Sequence, residues 1–316
     1  MRCPLVSIII PCFNARKYIG AAIQSALDQT YPNIEVIVVD DGSTDDSLGV
    51  IQSFGDRIRW ETGPNRGGCA ARNRGIAISR GEFLQFLDAD DLLYREKLER
   101  QVNAAGERNG TLIFCDAESD GPPHPHHVRQ DVVTDAVVFM LQGGLQTSAM
   151  LHRRDWIERI GGFREDLPCA QERDLQLRLA AAGAMFERLP EKHYFVRHVP
   201  QSVSSNIERV LDQHAKILWP GYRDLESRGA MTDERRKAFA GLLACDARRL
   251  MTMGRREKAA DYFRQAASMH PTGGLDIAYG KVTRGIRRVA GPVVAEYIGS
   301  FTRWIVRAFR VAGGGG

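Results

Sequence analysis

The chain has 316 residues, of which 43% are hydrophobic and 26% are charged, and its formal net charge is +4. This globular mixture excludes disordered and fibrous proteins, and the length fits one large domain with an appendage or two domains. The charge is too small by itself to indicate nucleic-acid binding, so we expect no nucleic-acid partner.

Residues 1–115 alternate between short apolar runs and segments with helical spacing. The runs predict strands at Val6–Ile10, Ile34–Val39, Ile58–Trp60, Phe83–Leu87 and Leu112–Cys115. Helices are predicted at Ile19–Leu27, from Ser43 with Asp46 as its capping acid, at Cys69–Ser79 and at Leu93–Arg108. The fold class is therefore α/β, a Rossmann-like, mainly parallel sheet with helices on both faces.

The second part of the chain has a looser pattern. Helices are predicted near Val132–Leu141, Asp155–Ile160 and Gln171–Ala182, and strands near Ser148–His152 and Tyr194–Arg197. From Ile207 the composition becomes helical, and Ala259, Tyr262, Phe263 and Ala266 have the spacing of one tetratricopeptide-like helix. A solenoid needs about three such repeats, so we expect a single helical hairpin in a smaller C-terminal helical region.

The six cysteines include no CxxC pair, and no histidine stands at metal-site spacing from them. This argues against a disulfide framework or structural zinc and indicates a reducing compartment. The apolar run at Val6–Ile10 is too short for a secretory leader, and the sequence contains no long apolar stretch that predicts a spanning helix. We therefore expect a cytoplasmic protein.

Acidic residues follow two of the predicted strands. Asp40 and Asp41 end the second strand, and Asp88, Asp90 and Asp91 end the fourth. In an open parallel sheet these ends meet at one edge, where ligands bind. Crowded carboxylates favour a hard divalent cation, Mg²⁺ or Mn²⁺, together with a phosphate ester. Each motif alone is also typical of a turn, a helix cap or a solvated loop.

Two phosphate-binding fingerprints are absent from the sequence. No GxGxxG follows the first strand, and no GxxxxGK followed by serine or threonine occurs. The glycine-rich segment Gly63–Gly68 precedes a helix and would let main chain approach a phosphate, although this signal is weak alone.

Several sequence blocks closely resemble the family 2 inverting glycosyltransferases of the GT-A fold. They are Val6–Asn14 (VSIIIPCFN), Val38–Asp45 (VVDDGSTD), Asn65–Asn73 (NRGGCAARN), Gly81–Asp91 (GEFLQFLDADD) and Gln171–Arg178 (QERDLQLR). The resemblance covers residues 4–206, and we assign residues 1–206 to a GT-A catalytic domain. Residues 1–115 would be its nucleotide-binding half, residues 116–206 its acceptor and catalytic-base half, and residues 207–316 a helical C-terminal region.

The resemblance implies roles for individual residues at the donor site. Asp41 would hold the base of a nucleotide-sugar, and Arg72 would lie near the nucleotide. Asp88 and Asp90 match the DxD motif, whose carboxylates hold the ribose and the diphosphate-bound metal. The wall of the nucleotide pocket would be formed by Pro11, Phe13 and Asn14.

The resemblance also implies a general base and a further metal ligand. Glu172 falls where the family places its base, although many relatives have Glu-Asp where this chain has Gln171-Glu172; Asp174 is the second candidate. His198 would approach the metal or the diphosphate. The segment Thr147–Met150 would line the pocket for the donor sugar and the acceptor.

The basic residues of the C-terminus are interleaved with apolar and aromatic ones between Ile286 and Val311. Such a segment is typical of an interfacial helix on anionic lipid, and equally of a helix packed on the enzyme or an oligomer contact. On the first reading the protein would be peripheral at the inner face of the membrane.

The function implied is metal-assisted single displacement with a carboxylate base. The enzyme would be a hexosyl- or N-acetylhexosaminyl-transferase moving a sugar from a nucleotide-sugar, most simply a UDP-sugar, to a hydroxyl of a cell-surface glycan or lipid-linked oligosaccharide. Two alternatives stay open, a non-catalytic module that binds sugar-nucleotide or glycan, and a nucleotidyltransferase.

Overall fold

The computed structural model describes residues 3–107, 111–121, 133–199 and 206–271. Eight strands form one mixed sheet in the order β3-β2-β1-β4-β7-β6-β8-β5. They are β1 (Val6–Cys12), β2 (Ile34–Asp40), β3 (Arg59–Thr62), β4 (Phe83–Phe86), β5 (Leu92–Leu93), β6 (Thr111–Ser119), β7 (Met150–Arg153) and β8 (Met185–Val196). The helices of the described residues are α1 (Ile19–Leu27), α2 (Ser47–Gln52), α3 (Gly68–Ile78), α4 (Lys97–Glu107), α5 (Ala136–Gln142), α6 (Arg154–Arg159), α7 (Gln171–Ala181), α8 (Ile207–Ser227), α9 (Asp233–Thr252) and α10 (Arg256–Met269). Short 3-10 turns cover Gly55–Arg57 and Thr147–Ala149.

Strands β3, β2, β1 and β4 are neighbours and run parallel, as the alternating pattern predicts. Helices cover this part of the sheet on both faces. Alternate β1 side chains such as Ile8 join the buried core with α1, whereas Ile9 faces α3. A Cβ at Gly75 of α3 would lie 2.3 Å from Ile9 Cγ2, so glycine there lets the helix approach the strand closely. The α/β fold class is confirmed.

The predicted fifth strand, β6, runs in the same direction as β4 but is not its neighbour in the sheet. The antiparallel strand β7 lies between β4 and β6 and pairs with both. Strand β8 then pairs in parallel with β6, and β5 pairs antiparallel with β8. The short, half-polar run of β7 carries no sequence signal for its place in the sheet, because strand order depends on long-range packing.

Several predicted boundaries also differ from the structure. Leu93 belongs to β5, and α4 begins only at Lys97. Ser43 does not cap a helix, since α2 begins at Ser47 and the Ser43 hydroxyl accepts a hydrogen bond from the Asn14 main chain at 2.9 Å. Strand β8 is much longer than the Tyr194–Arg197 strand predicted, because polar residues before Tyr194 interrupt its apolar pattern.

The described residues divide into two compact units, one ending at Gln213 and the other beginning at His214. In the second unit α9 and α10 pack together, and the tetratricopeptide-like positions of α10 are its buried face. No helix in the described ranges is long and apolar enough to cross a membrane. The basic C-terminal segment Ile286–Val311 lies outside the described residues, so its membrane role stays a prediction.

Candidate active site

The carboxyl ends of β1, β2 and β4 open onto one edge of the sheet. Cys12 of β1 pairs with Asp40 of β2, and β4 runs parallel to β1 on its other side. The chain leaves β1 at Phe13, β2 at Asp41 and β4 at Leu87, so the predicted donor-site residues start from adjacent strands. The geometry is that of a ligand cleft at the end of a parallel sheet.

Asn14 fixes the loop after β1 against the loop after β2. It adopts a left-handed conformation with φ 50°, and its Oδ1 accepts from the main-chain nitrogen of Thr44 at 2.7 Å. The Asn14 amide oxygen is therefore occupied within the protein. Beside it, Pro11 is half-buried and Phe13 keeps 50% of its surface exposed. Of these three residues, Phe13 has the side chain most available to a ligand.

Asp41 is buried and holds the glycine-rich loop. Its two carboxylate oxygens accept from the main-chain nitrogens of Arg66 at 2.9 Å and Gly67 at 2.8 Å. Gly42 follows with φ +75°, and a Cβ there would lie 2.8 Å from the nitrogen of Asn65. Asp41 thus shapes the loop that faces the ends of β1 and β2, a role the sequence did not reveal.

Arg72 of α3 is buried, with 5% of its surface exposed, and pairs with Asp88 at the end of β4. Its Nη2 lies 2.5 Å from Asp88 Oδ1, and its guanidinium carbon lies 5.5 Å from the ring centre of Phe163. Within the described ranges, its Nε and Nη1 are buried without a hydrogen-bond partner. Buried donors without partners are rare and costly, so these two N–H groups mark a place where a ligand acceptor fits.

Asp88, Asp90 and Asp91 crowd negative charge at the end of β4. Burial, and next the charge of Asp88, raise the pKa of the Asp90 carboxyl. Burial and the charges of Asp88 and Asp90 raise the pKa of Asp91 well above its usual range. Asp91 is held from two sides, because it accepts from Ser148 Oγ and from the Arg197 main-chain nitrogen, both at 3.2 Å.

These carboxylates fit a hard divalent cation, which would relieve their repulsion and prefers oxygen ligands. Among the described residues, no group of three or more His, Cys, Asp and Glu is arranged to hold a metal. The protein would therefore supply few ligands, Asp90 first, and substrate phosphates and water the rest. The predicted second ligand, His198, is exposed; its main-chain nitrogen donates to Asp120 Oδ1 at 2.7 Å, and its side chain lies against Gly121.

Glu172 lies in the first turn of α7, a helix that begins directly after Ala170, whose φ of 57° is in the left-handed region. Its side chain is half-buried. Burial raises the pKa of the Glu172 carboxyl, the nearby charge of Asp88 raises it further, and Arg72 opposes the shift. The carboxyl is thus near the Arg72–Asp88 pair and disposed to take up a proton.

Asp174, the second candidate for the base, is engaged elsewhere. It is 2% exposed, and its carboxylate accepts from Arg178 Nε at 2.7 Å and from Arg164 Nη1 at 3.4 Å. Arg178 also donates to the carbonyls of Ile160 and Gly162, both at 2.8 Å. Asp174 therefore fixes the segment before α7, and its carboxylate is already paired.

Arg197 and Tyr18 are part of the site that sequence reasoning missed. The Arg197 guanidinium carbon lies 4.9 Å from the centre of the Tyr18 ring. Its charge counteracts the rise in the pKa of Asp90. The sequence offered one weak signal, the position of Arg197 next to His198, but an arginine at a strand end usually indicates a solvated surface. Ser148, in the segment predicted to line the sugar pocket, does reach the acidic cluster through Asp91.

The chain is similar to known glycosyltransferases. The family model described as Glycosyl transferase family 2 matches residues 7–161. The chain is 32% identical over 234 residues to a Bacillus subtilis protein named as a putative teichuronic acid biosynthesis glycosyltransferase, TuaG, covering 71% of this chain and 89% of that protein. The chain spans only 29% to 52% of the length of four other curated relatives that it matches.

Two solved structures share the fold at low sequence identity. S. aureus TarS 1-349 in complex with UDP-GlcNAc has a TM-score of 0.58 and 18% identity, covering 85% of this chain and 92% of that one. The mannosyltransferase PcManGT from Pyrobaculum calidifontis, in complex with GDP-Man and Mn²⁺, has a TM-score of 0.57 and 18% identity, covering 94% of this chain and 87% of that one. At this identity the likeness shows a GT-A-type fold alone.

Proposed function

The chain belongs to glycosyl transferase family 2, and we propose that it transfers a sugar, with inversion, from a nucleotide-sugar to a hydroxyl of a cell-surface glycan or lipid-linked oligosaccharide. One observation carries the proposal. A carboxyl with a raised pKa, Glu172, is close enough to the buried Arg72–Asp88 pair for the charges of both residues to act on it. A group able to accept a proton is therefore near a buried arginine whose unpaired N–H groups suit an anionic donor.

In this proposal the donor lies along the edge formed by β1, β2 and β4. The nucleoside contacts the exposed face of Phe13 between Pro11 and the loop held by Asp41. The free N–H groups of Arg72 donate hydrogen bonds to the nucleotide-sugar, and Asp88 accepts a hydrogen bond from its ribose. The support is that Arg72 has unpaired donors and Phe13 an uncovered ring.

Glu172 acts as the general base. It takes the proton of the acceptor hydroxyl as that oxygen attacks the anomeric carbon, while the bond to the nucleoside diphosphate breaks. A base whose pKa is raised toward the operating pH accepts the proton more readily in the transition state. Single displacement by one base inverts the anomeric centre and needs no nucleophile from the protein.

Asp90 and His198 would hold a divalent cation, Mg²⁺ or Mn²⁺. Such an ion, when bound, neutralises the charge that develops on the departing diphosphate. Arg197 lies close enough to Asp90 to add a second positive charge there. The Mn²⁺ in the complex of the mannosyltransferase PcManGT supports this choice of ion.

We propose a UDP-sugar as the donor and a cytoplasmic site of action. The UDP-GlcNAc complex of S. aureus TarS supports the nucleotide, whereas the GDP-Man complex of PcManGT makes GDP the next to test. The name of the B. subtilis relative supports a cell-surface polysaccharide as the acceptor. All six cysteines are free thiols, which fits a reducing compartment.

The proposal is tested by thermal unfolding of the wild type with UDP, GDP, CMP and dTDP, each with and without Mn²⁺. At about 100 times its Kd a ligand adds about 2.7 kcal/mol of stability, which is readily measured. We expect one nucleotide to stabilise the protein in a metal-dependent way, and Asp90→Ala to abolish the metal dependence. Asp56→Ala, at an exposed position before β3, is the matched control and should behave as wild type.

Turnover distinguishes the enzyme from a binding module. Release of the nucleoside diphosphate from the matching donor, with the sugar passing to an added acceptor or, without one, to water, supports an enzyme over a binding module. Metal-dependent binding without release of product from any donor would favour the binding module instead. No stabilisation by any nucleotide, from a folded sample, would contradict the donor site itself.

A further inference from the structure

Lys97, at the start of α4, is a lysine without any exposed surface. Its ammonium nitrogen lies 2.6 Å from Gln85 Oε1 and 2.5 Å from Gln101 Oε1. Neither partner carries a charge. We call these three residues the Lys97 cluster. It joins α4 to β4, the strand that leads into the acidic residues of the site.

The two glutamines of the Lys97 cluster are oriented by main-chain carbonyls. Gln85 Nε2 donates to the carbonyl of Ser148 at 3.1 Å, and Gln101 Nε2 donates to the carbonyl of Ala149 at 3.0 Å. Because these hydrogen bonds fix the orientation of each amide, the oxygen of each amide faces Lys97. The position therefore requires a group that only donates, which is the property of a lysine ammonium.

The Lys97 cluster is linked to the acidic edge through the turn that it supports. The Ser148 hydroxyl donates to Asp91 Oδ2 at 3.2 Å, and Asp91 Oδ1 accepts from the Arg197 main-chain nitrogen at 3.2 Å. Hydrogen bonds thus connect Lys97 with Gln85 and Gln85 with the Ser148 main chain, and the Ser148 side chain connects that residue with Asp91 and, through Asp91, with Arg197. Asp91 is the neighbour of Asp90 in the chain.

Filling space in the core does not explain a cationic side chain at position 97. Burial lowers the pKa of Lys97 to about 8, which reflects the cost of removing its charge from water. A buried cation without a counter-charge does not by itself stabilise the fold, because an apolar side chain of similar length would avoid its desolvation penalty. The geometry that the ammonium imposes on the two amides is what an apolar side chain cannot supply.

We propose that Lys97 is a positioning residue, which holds the Ser148–Ala149 turn so that Asp91 and its neighbour Asp90 keep the geometry needed for the metal-bound diphosphate. The proposal rests on the proposed function of this site. Lys97 acts through Gln85 and Gln101 and contacts no substrate itself. Its effect is therefore expected on the metal-dependent part of the reaction and not on recognition of the nucleoside.

The test compares Lys97→Met with Val102→Ala, a buried control on the same helix that is outside the cluster. For the folded fraction of each variant we measure kcat, the donor KM, the Mn²⁺ concentration for half-maximal activity, and the Kd of UDP without metal. We expect Lys97→Met to lower kcat at least tenfold and to raise the Mn²⁺ requirement about tenfold. The metal-free Kd of UDP should change less than twofold, and Val102→Ala should lower only the Tm.

Two further variants keep the test decisive where Lys97→Met folds poorly. Ser148→Ala removes only the link to Asp91, and Gln101→Leu removes one of the two amides; each should raise the Mn²⁺ requirement in the same direction. Equal kcat and Mn²⁺ dependence of Lys97→Met and Val102→Ala, beside an active wild type, would overturn the positioning role alone. An inactive wild type that binds no nucleotide would overturn the proposed function and this inference with it.

Discussion

Asn73 holds Phe163 by both of its main-chain groups. Asn73 Nδ2 donates to the carbonyl of Phe163 at 2.9 Å, and Asn73 Oδ1 accepts from the nitrogen of Phe163 at 2.9 Å. Residue 163 lies in the segment that leads into α7 and Glu172, and its ring contacts the guanidinium of Arg72. Asn73, the neighbour of Arg72 on α3, therefore helps to place both Glu172 and Arg72.

Asn73→Ala should destabilise the protein and lower its activity. Loss of these hydrogen bonds leaves main-chain groups without partners, which costs about 1–3 kcal/mol. Urea unfolding measures this loss, and steady-state kinetics should show a lower kcat. Asn103→Ala, at an exposed position of α4, is the control and should change neither quantity. An Asn73→Ala variant with the kcat of the wild type would show that the segment before α7 keeps its place without this contact.

Glu172→Gln should lower kcat by about 100- to 10,000-fold, the usual contribution of a general base. The Kd of the nucleotide should stay near that of the wild type. Because burial raises the pKa of Glu172, the wild-type rate should fall with decreasing pH at values above those typical of an exposed glutamate. Glu158→Gln, at an exposed helix position, is the control. A full rate in Glu172→Gln would assign the base to another residue.

The same substitution should change stability in a pH-dependent way. The folded-state pKa of Glu172 is raised, so the folded protein binds its proton more tightly than the unfolded chain does. The ordinary pKa of a glutamate, which applies to the unfolded chain, is 4.5. The stability that this group contributes is therefore fully present below pH 4.5 and is lost as the pH rises through the folded-state pKa. We expect Glu172→Gln to raise the Tm at pH 8 relative to wild type and to leave it nearly unchanged at pH 4. Thermal scans at the two pH values measure this difference, and equal shifts at both would contradict the raised pKa.

Arg72→Lys should keep the charge but lose the planar set of donors. A lysine replaces five directed N–H groups by one compact ammonium, so it cannot bind Asp88 and a donor at the same time in the same geometry. Loss of one hydrogen bond to a charged group costs about 1.5–3 kcal/mol, or roughly 10- to 160-fold in kcat/KM. Arg74→Lys, on the same helix but exposed, should have no such effect. An unchanged kcat/KM in Arg72→Lys would mean that the two free N–H groups of Arg72 contact no atom of the nucleotide-sugar.

Gly42→Ala should disrupt the turn that Asp41 and the glycine-rich loop share. Its φ is +75°, and the new methyl group would lie 2.8 Å from the nitrogen of Asn65. Gly55→Ala is the matched control, because its φ is also positive, at +59°, but nothing lies within 4 Å of the added carbon. The control should cost about 1–2 kcal/mol from backbone strain alone. Gly42→Ala should cost more in urea unfolding and also weaken nucleotide binding measured by calorimetry.

The sequence predicted the part of the fold that depends on local patterns. The β-branched runs around Ile8 and Ile37 predict buried strands, and glycine and proline mark where neighbouring helices end. Charges at strand ends, such as Asp41 and Asp88, could be assigned to one edge because parallel strands share their direction. The place of β7 between β4 and β6 could not be predicted, since nothing near Leu151 encodes a partner far along the chain.

The sequence predicted which residues belong to the candidate site better than it predicted the contacts that these residues make. Asp41 was assigned to the nucleotide, yet the structure adds its hold on the main chain of Arg66 and Gly67. Arg197 and Lys97 escaped notice because charged residues usually lie on the surface, and burial is not visible in a single sequence. The ion pair of Asp174 with Arg178 likewise depends on how α7 packs.

The insertion of β7 also constrains the order in which the chain acquires its structure. Strands β1 to β4 can pair as soon as residues up to Phe86 have left the ribosome, but the outer edge of β4 stays bare until Met150–Arg153 arrives. A bare strand edge is a template for pairing with other chains. A fragment ending near residue 115 should therefore self-associate during refolding, whereas one that extends through β8 pairs the edges of β4, β7 and β6 within its own sheet.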